Sequence, residues 1–569
     1  MGRVKKLINA ADDVVGEALD GLTLTAAGIA RLSGSTTAVR SDVAAVRAAG
    51  QVALLSGGGA GHEPAHAGYI GRGMLTGAVA GEVFTSPSVD AVLDAIRAVA
   101  TGGGVLLIVK NYTGDRLNFG LAAELARAEG VAVATVVVAD DVALAAEGGA
   151  GRRGLAGTVL VHKVAGAAAE AGLPLAEVAE RAQRAADAVG TMGLALSPCV
   201  VPAAGKPGFF LDADEIEWGL GIHGEPGIER ATLQPVHDVV DRLVTAITAD
   251  RGIGPGSRVA LLVNGLGATP PMELSIVADA AVRDLRRRDV VVERVWAGNF
   301  LTALDMAGCS LSLLPVDDDL LTALDAPTTA PAWPRAGSLG GAVLDAPPAD
   351  PPAAGELAAD DPVRRALEAV AEVLVAQRDR LTELDREVGD GDLGISLARG
   401  AAAVLAECPG YPGDDGPAAV LRAVSATVRR SVGGTSGPLY AVLLLRAAAA
   451  LTAPGAGTGP RAWADALRAA TDGVREIGGA EVGDRTMLDA LAPAAVTFSA
   501  QLEEGADWQT ALTAAVEEAK DGADATAGVI ARLGRSSYLG DRVLGHPDPG
   551  AEAVAVWLAA IRDSLRSGQ

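Results

Sequence analysis

The sequence predicts an α/β region built from two α/β subdomains, followed by an all-α helical bundle. Through the first 335 residues short aliphatic runs alternate with amphipathic stretches, the rhythm of β-α-β units. From Asp361 onward strands vanish, and long Ala/Leu/Val-rich segments at helical spacing take over. Between the two lies Asp345-Ala346-Pro347-Pro348-Ala349-Asp350-Pro351-Pro352-Ala353-Ala354-Gly355, a composition that cannot form a core and suits a semi-rigid linker.

In the first subdomain, residues 1–185, Val52–Leu55, Val105–Val109 and Val131–Val138 read as strands of a parallel sheet, with Phe119–Glu129 as an amphipathic helix. The loops that follow such strands lie at the carboxyl edge of the sheet, where open α/β folds bind ligands. Gly57–His62 and Asn111–Asp115 fall there. In the second, residues 186–335, Arg258–Val263 reads as a strand, Asn264–Gly267 as its loop and Met272–Arg287 as a helix. Asp289–Val295 and Leu311–Val316 are the next strands. The linker is placed at 336–360. The domain that follows it, 361–569, is expected to form helices over 362–384, 395–407, 416–430, 439–451, 461–475, 487–502, 508–532 and 551–566.

At 569 residues the chain exceeds the roughly 250–300 that one core supports. With 49% hydrophobic but only 3% aromatic residues, the interior is aliphatic and base stacking is disfavoured. The formal net charge of -24 opposes a polyanionic partner, so no nucleic-acid role is expected. ATP is still compatible, because magnesium and helix N-termini neutralise phosphate locally. Cys199, Cys309 and Cys408 lie far apart without a Cys-x-x-Cys pair, which fits a reducing compartment and argues against zinc or a disulfide framework. Leu439–Leu451 carries Arg446 and is too short to span a bilayer. A cytoplasmic protein without a membrane role is expected.

Two of the 6 histidines stand in glycine-rich segments: His62 in Gly57-Gly58-Gly59-Ala60-Gly61-His62-Glu63-Pro64, and His223 in Gly219-Leu220-Gly221-Ile222-His223-Gly224-Glu225-Pro226-Gly227-Ile228. Glycines around an imidazole let a small polar molecule reach both the ring and bare backbone amides. Asp115, in Lys110-Asn111-Tyr112-Thr113-Gly114-Asp115, supplies a base near a strand end. Farther on, Asp385-Arg386-Glu387-Val388-Gly389-Asp390-Gly391-Asp392-Leu393-Gly394 crowds hard oxygen ligands. Magnesium with phosphate oxygens would relieve their repulsion. Gly433-Gly434-Thr435-Ser436-Gly437-Pro438 precedes a helix with Pro438 as its first residue, which makes an anion cradle. Such a start is more often only a turn, but with the acidic cluster it forms a nucleotide-site candidate. No Gly-x-x-x-x-Gly-Lys-Ser/Thr is present, so a P-loop enzyme is excluded, and the Gly57 loop does not complete Gly-x-Gly-x-x-Gly.

These motifs, together with Gly71–Pro87, Val201–Pro207, Gly483–Leu488 and Arg535–Gly550, resemble the single-chain ATP-dependent dihydroxyacetone kinase family over essentially the whole length. The resemblance implies a ketose-binding domain over 1–335 and an ATP-binding helical domain over 361–569. It implies that His223 bonds to the substrate carbonyl carbon as a hemiaminal, that Asp115 is the base, and that His62 and Gly59 hold substrate oxygens. For the helical domain it implies that Asp385, Asp390 and Asp392 bind Mg2+, and that Leu393, Gly394, Ile395, Ser396, Thr435, Ser436, Gly478, Met487, Arg535 and Asp548 contact ATP. A homodimer is implied as well. The chain departs from the family at Leu393, where a small polar residue such as Thr is common, and at Ala60, where Ser is common. Rival readings are the same chemistry on erythrulose or glyceraldehyde, and a ligand-sensing co-regulator built on the ketose domain. Some relatives also split FAD to a cyclic flavin phosphate.

Overall fold

The computed structural model describes residues 5–144, 151–334, 337–341, 343–344 and 355–566. The chain forms two compact units, Met1–Val343 and Leu344–Gln569. Of the expected linker, 336–360, residues 336, 342 and 345–354 lie outside the described residues. From Gly355 the chain belongs to the second unit: the Gly355 amide donates to the Gly410 carbonyl at 3.0 Å and Leu357 is buried.

The first sheet contains β1 (Ile29–Arg31), β2 (Thr37–Arg40), β3 (Ala53–Ala60), β4 (Gly77–Val83), β5 (Val105–Lys110) and β6 (Val133–Val138), in the order β1-β2-β4-β3-β5-β6. Strands β3, β5 and β6 are parallel as expected, β4 joins them parallel as a strand not foreseen, and β1 and β2 extend the sheet antiparallel. Helices α1 (Val14–Thr25), α2 (Val43–Ala49), α3 (Val89–Val99), α4 (Thr113–Ala128), α5 (Thr158–Glu170) and α6 (Leu175–Ala188) accompany it. The second sheet holds β7 (Gly190–Ala195), β8 (Glu215–Trp218), β9 (Glu229–Thr232), β10 (Arg258–Gly265), β11 (Val291–Gly298) and β12 (Gly308–Pro315), with α7 (Val236–Arg251), α8 (Pro271–Arg287) and α9 (Asp318–Asp325). Only β10 and β11 run parallel there; the rest pair antiparallel.

Strand alternation explains the layering. Leu54, Leu106 and Ile108 point into a central core shared with α5, α6 and the Ala260, Leu262 and Leu314 side of the second sheet. Their neighbours Leu55, Leu107 and Val109 pack on α3 and α4. Val259, Leu261 and Val263 pack on α7 and α8. Both sheets are therefore covered on both faces, which is why their strands read as continuous aliphatic runs. The two expected subdomains share one interior layer.

Three loop expectations shift. Asn264 and Gly265 close β10 rather than open the loop after it. Gly57–Gly59 belongs to β3 rather than to a loop, because small residues let the chain stay extended against β4. Asp115 lies in the first turn of α4, not in the loop before it.

Described residues of the second unit form nine α-helices: α10 (Pro362–Ala376), α11 (Arg378–Val388), α12 (Leu393–Glu407), α13 (Pro417–Ser431), α14 (Ser436–Leu451), α15 (Pro460–Gly478), α16 (Leu488–Glu503), α17 (Trp508–Ala525) and α18 (Pro549–Arg566). The segment 362–384, expected as one helix, divides at Gln377, which caps both halves. The segment 508–532 ends at Ala525 and tightens into a 3₁₀ turn over Thr526–Gly528. Helix α14 starts two residues before Pro438, which its first turn accepts because amides there have no intrahelical acceptor. The bundle surrounds an apolar cavity of about 540 Å³ lined by residues such as Leu374, Phe498 and Trp557. None of the candidate site residues lines it.

Candidate active site

His62 follows β3 and is fully buried. Its Nδ1–H donates to the Thr302 carbonyl at 2.7 Å, and the Thr302 and Leu304 amides donate back to the carbonyls of His62 and Gly61. That stitching fixes the tautomer, so Nε2 presents a lone pair, and it has no partner among the described residues. Burial above all, then the Lys110 charge, hold the ring well below the usual imidazole range, so it is neutral.

The His223 ring sits edge-on to His62 at 4.8 Å between centroids, to Phe84 at 5.2 Å and to Tyr112 at 4.6 Å. Glu225 grips the same residue twice: its carboxylate accepts from the His223 amide at 2.9 Å and from Nδ1–H at 2.8 Å. Nε2 of His223 therefore keeps its lone pair. Burial opposes the Glu225 charge, yet the hydrogen bonds it accepts from the His223 ring and amide hold this carboxyl below its usual range. The turn has no room for side chains: a Cβ on Gly221 would lie 2.1 Å from Glu225 Oε2.

Asp115 is buried beside β3. A Cβ on Gly58 would meet Lys110 Nζ at 2.7 Å and Asp115 Oδ2 at 3.4 Å, so glycine lets the carboxylate and the ammonium face each other across the strand. Gly59 serves another close approach, since a Cβ there would fall 2.5 Å from the Thr85 amide nitrogen. The structure thus gathers His62, His223, Gly59 and Asp115 around the carboxyl edge of the first sheet. Glu225, Lys110, Phe84, Tyr112 and Thr302 join them unanticipated.

In the helical unit Asp385, Asp390 and Asp392 bring carboxylate oxygens within 4.8 Å of one another. Asp385 ends α11, is nearly buried, and accepts from the amides of Asp392 and Leu393 at 2.8 and 3.1 Å. Arg535 pairs with Asp390. Three hard oxygen donors with backbone support fit a magnesium ion carrying phosphates. Leu393, Gly394, Ile395 and Ser396 form the first turn of α12; Ile395 is exposed and Gly394 packs on α11. Thr435 caps α14 and Ser436 opens it, both accessible. Gly478 ends α15 against Leu439 of α14. Met487 and Asp548 meet at Gly550. Burial raises the Asp548 carboxyl to about 6, against the pull of the Ala551 amide and Arg485. Arg485, fully buried, donates to the carbonyls of Thr526 and His546 and so braces the segment that carries Arg535 and Asp548.

The Dak1 domain model matches residues 20–332 and the DAK2 domain model residues 387–563. The chain belongs to the dihydroxyacetone kinase family. Among curated relatives of this kinase family, Triokinase/FMN cyclase of Homo sapiens is 46% identical over 99% of this chain and 100% of its own length. D-erythrulose kinase of Mycolicibacterium smegmatis is 36% identical over 91% of each chain. The dihydroxyacetone kinase of C. freundii, crystallised with AMP-PNP and Mg2+, superposes with a TM-score of 0.63 at 34% identity, covering 98% of this chain and 99% of that one. No described helix is long and apolar enough to cross a membrane.

Proposed function

We propose that the protein transfers the γ-phosphoryl group of Mg-ATP to dihydroxyacetone, held as a hemiaminal on His223. The observation that carries this reading is the His223–Glu225 pair beside His62. With Nδ1–H committed to Glu225, the Nε2 lone pair is free to add to a carbonyl carbon. Glu225 is placed to take the Nδ1 proton as that bond forms, so the ring stays uncharged; the alkoxide left at the carbonyl oxygen takes up a proton from solvent to become a hydroxyl, and Glu225 returns its proton to solvent. The unpaired Nε2 of His62 accepts a hydrogen bond from a substrate hydroxyl. Asp115 removes the proton from the hydroxyl to be phosphorylated.

The C. freundii relative with its magnesium and nucleotide analogue supports Asp385, Asp390 and Asp392 as the ion-binding set here. When bound, the metal neutralises phosphate charge and aligns the leaving group. Arg535, Thr435, Ser436, Gly478, Met487, Asp548 and the first turn of α12 are the nucleotide contacts in this reading. A co-regulator would have no use for that acidic set. Three buried, unpaired cysteines fit a cytoplasmic protein. The exposed leucines 117, 121 and 125, one stripe along α4, favour a homodimer.

A coupled ADP-release assay across dihydroxyacetone, D- and L-erythrulose, glyceraldehyde and glycerol tests the reading. Dihydroxyacetone should lead. Leading turnover of erythrulose, the substrate named for the M. smegmatis relative, would move the assignment to a four-carbon ketose. Equal turnover of glycerol, which has no carbonyl, contradicts covalent capture. A site that depends on a missing group discriminates by about 10⁴–10⁵.

A further inference from the structure

Phe300, Leu301, Thr302 and Ala303 lie in the irregular chain between β11 and β12, and all four are buried. Buried backbone outside a helix or strand must find its hydrogen-bond partners elsewhere. Asn264, 1% exposed at the end of β10, supplies them. Its Oδ1 accepts from the amides of Phe300 and Leu301 at 2.8 and 2.9 Å. Its Nδ2 donates to the Leu301 carbonyl at 2.8 Å and to Ser310 Oγ on β12 at 3.2 Å. Both lone pairs and both N–H groups of the side chain are thereby used. Tyr69, fully buried, adds a bond from its hydroxyl to the Phe300 carbonyl at 2.7 Å, and the Ala303 amide donates to the Leu266 carbonyl at 2.8 Å.

The Asn264 amide fits only one way round. Turned over, its NH2 would face two N–H donors and its oxygen would face the Leu301 carbonyl. Leu301 is therefore held by its amide and its carbonyl at once, and the next residue is Thr302. Three bonds tie Thr302 to the segment that bears His62. Its carbonyl accepts from His62 Nδ1–H at 2.7 Å, its amide donates to the His62 carbonyl at 3.2 Å, and its hydroxyl donates to the Glu63 carbonyl at 2.9 Å. A carbonyl oxygen can only accept, so the aim of this one decides which nitrogen of a neutral His62 carries the proton. With the carbonyl turned away, the ring is free to carry its proton on Nε2, and the lone pair that meets the substrate is lost.

We propose that Asn264 is a positioning residue for His62: by accepting the Phe300 and Leu301 amides it aims the Thr302 carbonyl at Nδ1 and so keeps the Nε2 lone pair available to the ketose; this rests on the reading of His62 as the acceptor for a substrate hydroxyl. Asn264 acts through Thr302 and is assigned no substrate contact of its own. The tautomer of a histidine that follows β3 in the first sheet is thus set from β10 in the second.

The test joins proton–nitrogen correlation NMR of the full-length protein, carrying isotopically labelled histidine, to steady-state kinetics. His62→Ala identifies the His62 signals, which should show the Nδ1–H pattern in the parent. Asn264→Leu removes all four bonds at similar volume. It should bring in the Nε2–H pattern and raise the ketose KM by about tenfold, the order expected for one substrate hydrogen bond, with the KM for ATP unchanged. Asn264→Ser, too short to reach both amides, carries the same expectation if the leucine variant does not fold. Asn264→Asp keeps the oxygen that accepts both amides and should retain the parent pattern. Ser310→Ala breaks only the bond to β12 and should leave the His62 signals in place. An Nε2–H ring in the parent, an undisturbed Nδ1–H pattern in folded Asn264→Leu or Asn264→Ser, or an Asn264→Asp pattern displaced as far as that of Asn264→Leu, overturns the proposal. The KM of His62→Ala separates the two layers. A parent-like ketose KM in that variant removes His62 as a substrate contact and the inference with it, whereas a raised KM there beside unmoved His62 signals in the Asn264 variants removes only the inference.

Discussion

His223 can attack a carbonyl only while Nε2 keeps its lone pair, and Glu225 holds it in that state from two residues away. Glu225→Gln retains an acceptor for Nδ1–H but cannot take its proton. Steady-state kinetics should show kcat/KM for the ketose falling by about 100-fold while the KM for ATP is unchanged; parent-like kinetics would remove Glu225 from the reaction. Both candidate histidines stood out in the sequence because they stand in glycine-rich segments, and the structure brings their rings within 4.8 Å. Glu225 stands in the same ten residues, but a carboxylate two positions on can point anywhere until the turn at Gly221–Gly224 closes. Lys110 left a fainter trace, as a lone charge closing the aliphatic strand Val105–Lys110. A charged residue buried at a strand end marks a site rather than a core.

At the scale of elements, the acidic turn between α11 and α12 depends on Asp385 accepting two amides across it. Asp390→Ala should abolish Mg-ATP binding in calorimetry while leaving ketose binding intact. Parent-like nucleotide binding would dismiss the cluster as a solvated turn. Asp548 at the start of α18 makes a pH prediction. Its folded-state carboxyl stands at about 6 against an ordinary 3.8, so the folded state holds the proton more tightly than the unfolded chain. Stability is then full below the unfolded value, falls between about 4 and 6, and stays reduced above. Asp548→Asn mimics the protonated form and should stabilise the helical unit at pH 7 by about 3 kcal/mol at most, with parent and variant converging below pH 4. The same change should weaken Mg-ATP binding. Thermal unfolding at both pH values with a nucleotide titration checks it, and a variant less stable than the parent at pH 7 contradicts it. Sequence periodicity located the helices, but the break at Gln377 carries no Gly or Pro to mark it. Strand β4, Gly77-Ala78-Val79-Ala80-Gly81-Glu82-Val83, escaped notice because its small residues lack the bulk that signals a strand.

For the whole molecule, the change from aliphatic strands to uninterrupted helices was written in composition, and each unit has its own core. What composition could not convey is that the two sheets share one interior layer of α5 and α6. That requires knowing which face of β3 and β10 turns inward, and strands buried on both faces carry no alternation to reveal it. The same shared layer brings Thr302, from beyond β11, onto His62 beside β3, across 240 residues of sequence. The site is therefore a product of the whole α/β unit. Its central claim is the covalent bond at His223, and crystals of the full-length protein soaked with dihydroxyacetone test it most directly. The account predicts continuous density from His223 Nε2 to the central carbon of the ketose, lost in His223→Ala. A ketose seated as an intact carbonyl without a bond to the ring, or bound elsewhere, would contradict it.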